Sequence, residues 1–399
     1  MSFLARIFAA LLLARGVDAW WATGHLTVAA VAQSQLTSTA NRTVARLLAL
    51  STSSYPYESE LPSAADWMDL IKASTDAFSA WHYADAPLVL NSSSSRVTPS
   101  PAWTDASSAA LVSDGANLVW ALSRCFSVLQ SESRADAAMR ALFLRALLHF
   151  MGDLHQPCHC ASLTLRDGSL DAGANLIRLS PAVGVGGTSS ASNLHAFWDA
   201  GAGVAAAVDT TYPAVPQGSA GVALPSLAAF VASLSADVAA AARALPPLSV
   251  AALTNRTGAV PRAWHAEGVA LAASRVYSAT PVGTALLAGS LTVSSTGAAW
   301  GNYTVASQAL ARQQMVLGGV RLAAVLNALI TYEIAPPPAP TPSPMPSPNA
   351  AQQCAPRRGA IIAAVLGWLA FAAAAAAGWL FARNAATQPA SAGLLTPEA

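Results

Sequence analysis

Lysine is all but missing from this chain: Lys72 is the only one in 399 residues. Charged residues of both signs reach only 10%, against roughly 25% in ordinary soluble domains. A net charge of +1 offers no basic footprint for a nucleic-acid duplex. Any nucleic-acid ligand must therefore be held by metal and by stacking. Cysteine is scarce as well, and Cys125, Cys158, Cys160 and Cys354 cannot knit a dense disulfide framework. Cys158 and Cys160 flank a histidine and offer soft ligands, but packing or a disulfide is the simpler role. No Gly-rich phosphate loop and no convincing alternating strand set appears, which points to a mainly α domain. The length is ample for a real core in one large domain or two smaller ones. Alanine supplies much of the 54% hydrophobic content, so that figure alone is no membrane signal.

Histidine is the informative residue, and there are seven: His25, His82, His149, His155, His159, His195 and His265. His149 and Asp153 stand one helical turn apart and project from one face. Imidazole and carboxylate so placed suit a divalent metal such as zinc. Pro157 ends that helix, since it lacks an amide hydrogen and restricts its predecessor. His159 is thereby freed to reach a second metal. His195 and Asp199, in Asn193-Leu-His-Ala-Phe-Trp-Asp199, repeat the same step. A single such pair usually marks a polar contact; two, with a histidine just past a helix-ending proline, point to a metal site. Asp69 followed by His82 in an aromatic setting suits a further ligand pair, with Asp66 a competitor at another helix phase. His25 taken alone reads as a capping or core histidine at a helix start.

The ends of the chain carry targeting signals. Arg6, the apolar run Ile7 to Ala14, and Val17-Asp18-Ala19 form a secretory signal over residues 1–19. Cleavage after Ala19 makes Trp20 the mature N-terminus. Residues 335–358 form a Pro-rich stalk, extended over on the order of 40 Å in its proline run. Residues 359–382 are an unbroken apolar run, long enough at about 1.5 Å per residue to cross a bilayer. Residues 383–399 are then a short cytoplasmic tail. Arg357 and Arg358 flank the span on its outer side, against the positive-inside tendency; the signal peptide sets the orientation here. The sequons at Asn41, Asn91, Asn255 and Asn302 all precede the stalk and fit a lumenal or external ectodomain over 20–334. The expected address is the secretory pathway, as a cell-surface or endomembrane type I protein.

Between these ends the pattern predicts helices. One begins after Trp20-Trp-Ala-Thr-Gly-His25, one runs from about Asp105 to Leu129, and one from the N-cap Asp136 into the central motif. Helical spacing returns near 226–244, 262–279 and 304–331. The Ser/Pro-rich 88–104 and the Gly/Ser-rich 180–192 read as loops.

Taken together, these motifs resemble the zinc-dependent, single-strand-specific class I nucleases of fungi and plants, and more closely the membrane-anchored 3′-nucleotidase/nucleases of protozoa. The resemblance spans about residues 20–332 and rests on five stretches. They are Trp20…Gly24-His25, Trp67-Met-Asp69 with His82, His149 to His159, Gly173-Ala-Asn175, and Asn193 to Asp199. It implies an all-α domain of the phospholipase C/single-strand nuclease type with a trinuclear zinc cleft. One zinc would be held by Asp69, His82, His149 and Asp153, and a second by His159, His195 and Asp199. The third would be held by His25, a bridging Asp153, and the free amine and carbonyl of Trp20. Lys72 matches a position that steadies the transition-state phosphate. Tyr83 and Asp85 match positions that stack on and hydrogen-bond the base, while Asn175 falls in the substrate-contacting motif. His155 is expected to support the ligands, and His265 to pack in the C-terminal helical region. The substrates implied are single-stranded nucleic acid and 3′-nucleotides. The membrane is contacted through the C-terminal helix, and no obligate protein partner is evident. The competing readings are a zinc phospholipase C and a catalytically inactive adhesion protein.

Overall fold

Polar side chains cap several helix starts in the computed structural model, which describes residues 20–50, 60–130, 137–186, 189–206 and 225–333. The signal segment, stalk, apolar run, tail, Asp136 and Cys354 lie outside the described residues. Helix α1 (Ala22–Gln33) buries nearly its whole surface, while α2 (Ser38–Ala49) is amphipathic and capped by Thr37, which accepts from the Ala40 amide. Two single turns follow, α3 (Leu61–Ala64) and α4 (Trp67–Leu70).

The next segment departs from expectation. The stretch read as a loop contains β1 (Ala86–Leu90) and β2 (Val97–Pro99), paired antiparallel with Leu88 opposite Pro99. The predicted helix over 105–129 is two helices, α5 (Asp105–Ala110) and α6 (Leu118–Leu129). Gly115 at φ +78° breaks the run, and Asn117 restarts it by accepting from the Trp120 amide at 3.0 Å. Helix α7 (Ala137–Leu154) is the central one and is buried on every side from Arg145 onward. A short 3₁₀ turn at Pro157–His159 leads into β3 (Ala161–Leu163), which pairs parallel to β1 with Ala86 opposite Ala161.

The second stretch read as a loop is also a sheet. β4 (Arg178–Gly186) lies antiparallel to β5 (Ser189–Asn193). In both cases the hairpin is completed by a third strand distant in sequence, Ala161–Leu163 in one and Thr292–Ser294 in the other, which local periodicity cannot report. Asn193 then caps α8 (Leu194–Asp199), accepting from Ala196 at 2.8 Å.

Helical spacing over 226–244 resolves into α9 (Pro225–Ser233) and α10 (Ser235–Ala244), bent by 53°. After the single turn α11 (Val250–Leu253) comes α12 (Ala259–Leu271), continued by a π-helical turn, Ala272–Tyr277. Helix α13 (Val282–Leu287) and β6 (Thr292–Ser294), parallel to β4, precede α14, the 33-residue helix Gly297–Leu329. The described architecture is thus mainly helical, with two three-stranded sheets ordered β2-β1-β3 and β5-β4-β6. Among the described residues no single helix is long and apolar enough to cross a membrane.

Helices α1 and α14 meet closely because Gly319 lacks a side chain. A Cβ there would stand 2.5 Å from Val31 Cβ and 2.8 Å from the Val28 carbonyl. Gly319→Ala should therefore cost about 1–3 kcal/mol in denaturant unfolding, since backbone must shift. Gly301, on the same helix with open space around it, is the control. Its alanine variant should gain up to about 1 kcal/mol from helix propensity. Equal effects at both positions would show that the crossing is loose.

Candidate metal centre

Six segments deliver acids and imidazoles to one buried region. The end of α7 supplies His149 and Asp153, one turn apart. The 3₁₀ turn supplies His159, and α8 supplies His195 and Asp199. The start of α1 supplies His25, and α4 with the 3₁₀ turn Ser79–His82 supplies Asp69 and His82. Three groups emerge whose ligand atoms lie within 4.8 Å of one another: His25/Asp69/His149, His82/His149/Asp153 and His159/His195/Asp199.

Asp153 stands between two of these groups. Its Oδ1 lies 3.4 Å from His25 Nε2, while Oδ2 lies 3.1 Å from His82 Nδ1 and 3.5 Å from His149 Nε2. Asp69 Oδ1 is 3.5 Å from His149 Nε2, whereas Asp66 joins none of the groups. In the other group, Asp199 presents Oδ2 to His195 Nε2 at 3.1 Å and Oδ1 to His159 Nε2 at 3.5 Å.

The imidazoles are aimed from behind. His149 Nδ1 donates to the Ala65 carbonyl (2.6 Å), His159 Nδ1 to the His82 carbonyl (2.8 Å), and His195 Nδ1 to the Gly173 carbonyl (2.6 Å). Each bond assigns the proton to Nδ1 and leaves the Nε2 lone pair facing the acids. Burial holds His25 and His82 well below the usual imidazole range, with His149 adding to the effect, and also lowers His159. Such histidines stay neutral, the form a metal requires. Burial acts to raise Asp69, but His149, Lys72 and His82 override it and hold the carboxyl well below the usual range. His195 moves the other way: burial lowers it, yet Asp199 lifts it above its ordinary value.

The donor set fits a cation. Both nitrogens of His25, and Nε2 of His159 and of His195, are buried without a hydrogen bond. Three buried carboxylates crowded among imidazoles are costly unless positive charge neutralises them. Nitrogen and oxygen donors in this mixture match zinc.

The S1/P1 nuclease profile matches residues 20–331. This chain belongs to the S1/P1 nuclease family. No curated protein matches it. Membership makes it a nuclease or phosphodiesterase by class, and such nucleases are in general zinc-dependent.

Other motif residues of this S1/P1 nuclease family member surround the acids and imidazoles. Trp20 is fully buried, and its indole Nε1 donates to the Gly152 carbonyl at 2.8 Å, beside Asp153. Lys72 Nζ is 2.6 Å from Asp69 Oδ1. Tyr83 is exposed, and Asp85 is half-buried on the strand that leaves His82. Burial lifts Asp85 to about 6, against the lowering effect of a hydrogen bond from the Ser162 hydroxyl. Asn175 spends its side-chain amide on the Ala172 carbonyl at 2.8 Å.

One expectation changes. His155, just past the last residue of α7, turns elsewhere: it bonds the Met151 carbonyl (2.7 Å) and Arg321 (3.1 Å). Cys158 and Cys160 are buried free thiols outside the metal groups. His265 packs where expected, but it also bonds the carbonyls of Ala84 (2.6 Å) and Cys160 (3.0 Å), next to site residues. Gln156 went unassigned in the central motif. Its Nε2 donates to Asp199 Oδ1 at 2.5 Å, and its Oε1 accepts from the Cys158 amide at 2.6 Å. Its position inside the motif was the available signal.

Gly152 lets His25 approach α7, since a Cβ there would stand 2.5 Å from His25 Nδ1. Gly152→Ala should therefore reduce bound metal per chain, read by elemental analysis. Its helical circular dichroism should persist, since alanine is the better helix former. Undiminished metal content would show that His25 is not a ligand.

Proposed function

We propose that this chain is a zinc-dependent phosphoesterase that hydrolyses single-stranded RNA and DNA and removes the 3′-phosphate of nucleotides. The observation that carries the reading is Asp153, buried with its two oxygens turned to different imidazoles. A carboxylate so placed suits a bridge between two cations. In this reading Asp69, His82, His149 and Asp153 hold one zinc, and His159, His195 and Asp199 a second. The third is held by His25, Asp153 and the amine and carbonyl of Trp20. Clustered zinc lowers the pKa of a water toward about 7 and offsets phosphate charge.

The remaining residues handle the substrate. Lys72, the only lysine, neutralises phosphate charge from beside Asp69. Tyr83 offers an exposed ring for stacking, which accepts any base but needs an unpaired one. Asp85 accepts a hydrogen bond from the base edge, and Asn175 contacts the substrate near His195. Exposure of Asn41, Asn91, Asn255 and Asn302 is compatible with glycosylation of a lumenal or external ectodomain. The apolar run 359–382 would anchor it as a type I membrane protein.

The deciding assay offers the secreted protein 3′-AMP, single-stranded DNA and phosphatidylcholine, each with and without chelator. Cleavage of the first two, lost to chelator and restored by zinc, is the expected result, together with about three Zn²⁺ per chain. Asp153→Asn should lower turnover roughly a thousandfold, a loss of several kcal/mol at about 1.4 kcal/mol per tenfold. Near-normal turnover would remove the bridging role, and cleavage of phosphatidylcholine alone would point to a lipase.

The family match begins at Trp20, the residue left first by the proposed signal cleavage. An uncut chain has an amide nitrogen there, without an available lone pair. A form retaining one extra residue before Trp20 should fold yet bind about one zinc fewer and lose most activity. Full zinc content in that form would leave Trp20 as packing alone.

A further inference from the structure

The segment from α12 through the π turn reaches back to the site with two polar side chains. His265 donates from Nε2 to the carbonyls of Ala84 and Cys160, at 2.6 and 3.0 Å. These residues adjoin Asp85 and His159, and they lie where β1 meets β3: the Ala84 amide donates to His159 O at 2.8 Å and the Ala86 amide to Cys160 O at 3.0 Å. One imidazole thus pins the strand leaving His82 to the strand leaving His159.

Tyr277 acts on the neighbouring loop. Its hydroxyl donates to Asp171 Oδ1 at 3.0 Å, an atom that also accepts from the Leu163 amide at 2.9 Å. Asp171 opens a run of three left-handed residues, Ala172, Gly173 and Ala174, with φ of 55°, 63° and 72°. For each alanine that conformation costs on the order of 1 kcal/mol. The run is held by Asp171 at its start and by the Gly173 amide on Ser162 Oγ at 2.6 Å. It delivers the Gly173 carbonyl to His195 Nδ1 at 2.6 Å.

The π turn brings both side chains toward one side of their helix. At about 100° per residue, Tyr277 would sit about 120° around an unbroken α-helix from His265. The Ala272–Tyr277 turn advances more slowly, at roughly 80° per residue, and cancels most of that offset. Both residues are buried, so neither bond is traded for water.

We propose that His265 and Tyr277 are positioning residues for the group His159/His195/Asp199, locking the backbone behind its two histidines. This rests on the metal reading above. Hydrogen bonds that hold metal-binding histidines from behind are typically worth about 10–100-fold in metal affinity.

The test uses the secreted, processed protein and three variants: Tyr277→Phe, which removes one hydroxyl, His265→Leu, and His265→Gln, which restores an N–H donor. Zinc affinity is measured without substrate by chelator competition, beside the melting temperature and the kcat and KM for 3′-AMP. Tyr277→Phe and His265→Leu should each weaken one zinc by about 10-fold and lower kcat more than they raise KM. His265→Gln should recover most of the affinity. Folded Tyr277→Phe with wild-type zinc affinity overturns the proposal, as does a His265→Gln no better than His265→Leu. A wild type that binds no zinc overturns the metal reading and this one together, whereas wild-type binding with unaffected variants overturns the clamp alone.

Discussion

The structure is organised around one electrostatic constraint, the burial of the Asp153 carboxylate among imidazoles. Asp153 has no solvent exposure, and neither have His25 and His149. Removing such a charge from water is tolerable only if compensating charge and hydrogen bonds are in place. Much of the surrounding architecture supplies that compensation. His25 stacks on His149 with ring centroids 3.7 Å apart, Phe150 lies edge-on to His82 at 5.2 Å, and Gly152 leaves the room that His25 occupies.

The two sheets, small as they are, serve the same end. Parallel pairing of β1 with β3 sets the His82 segment against the His159 segment, and the turn before β4 sets the Gly173 carbonyl behind His195. The ligand groups are therefore assembled by long-range backbone bonds as well as by helix faces. This explains why the polar residues that support the centre, Gln156, His265, Asp171 and Tyr277, come from such different parts of the chain.

His155 and Arg321 show that not every buried polar group near the centre belongs to it. Arg321 makes paired bonds to Glu267 at 2.9 and 2.8 Å and stacks over Trp264 at 4.8 Å, with His155 on its other side. Burial and Arg321 together lower His155 to about 3. This network joins α7, α12 and α14 away from the acids, and it accounts for a histidine that the central motif made look like a supporter of the ligands.

What the sequence determined alone follows from short-range geometry. A helix has a fixed period, so His149/Asp153 and His195/Asp199 had to share faces, and Pro157 had to end the helix before His159. The mainly helical character likewise follows from the apolar spacing. Tertiary structure alone decided which histidines meet which acids, because that depends on where distant segments pack. It set Asp69 beside His149, turned the Asp153 oxygens to different partners, and made of two supposed loops hairpins that each pair with a third strand far along the chain. The role of Gly173 is of the same kind. Nothing local announces that its carbonyl will stand behind His195, since that contact exists only once Asp171 and Tyr277, 106 residues apart, have been brought together.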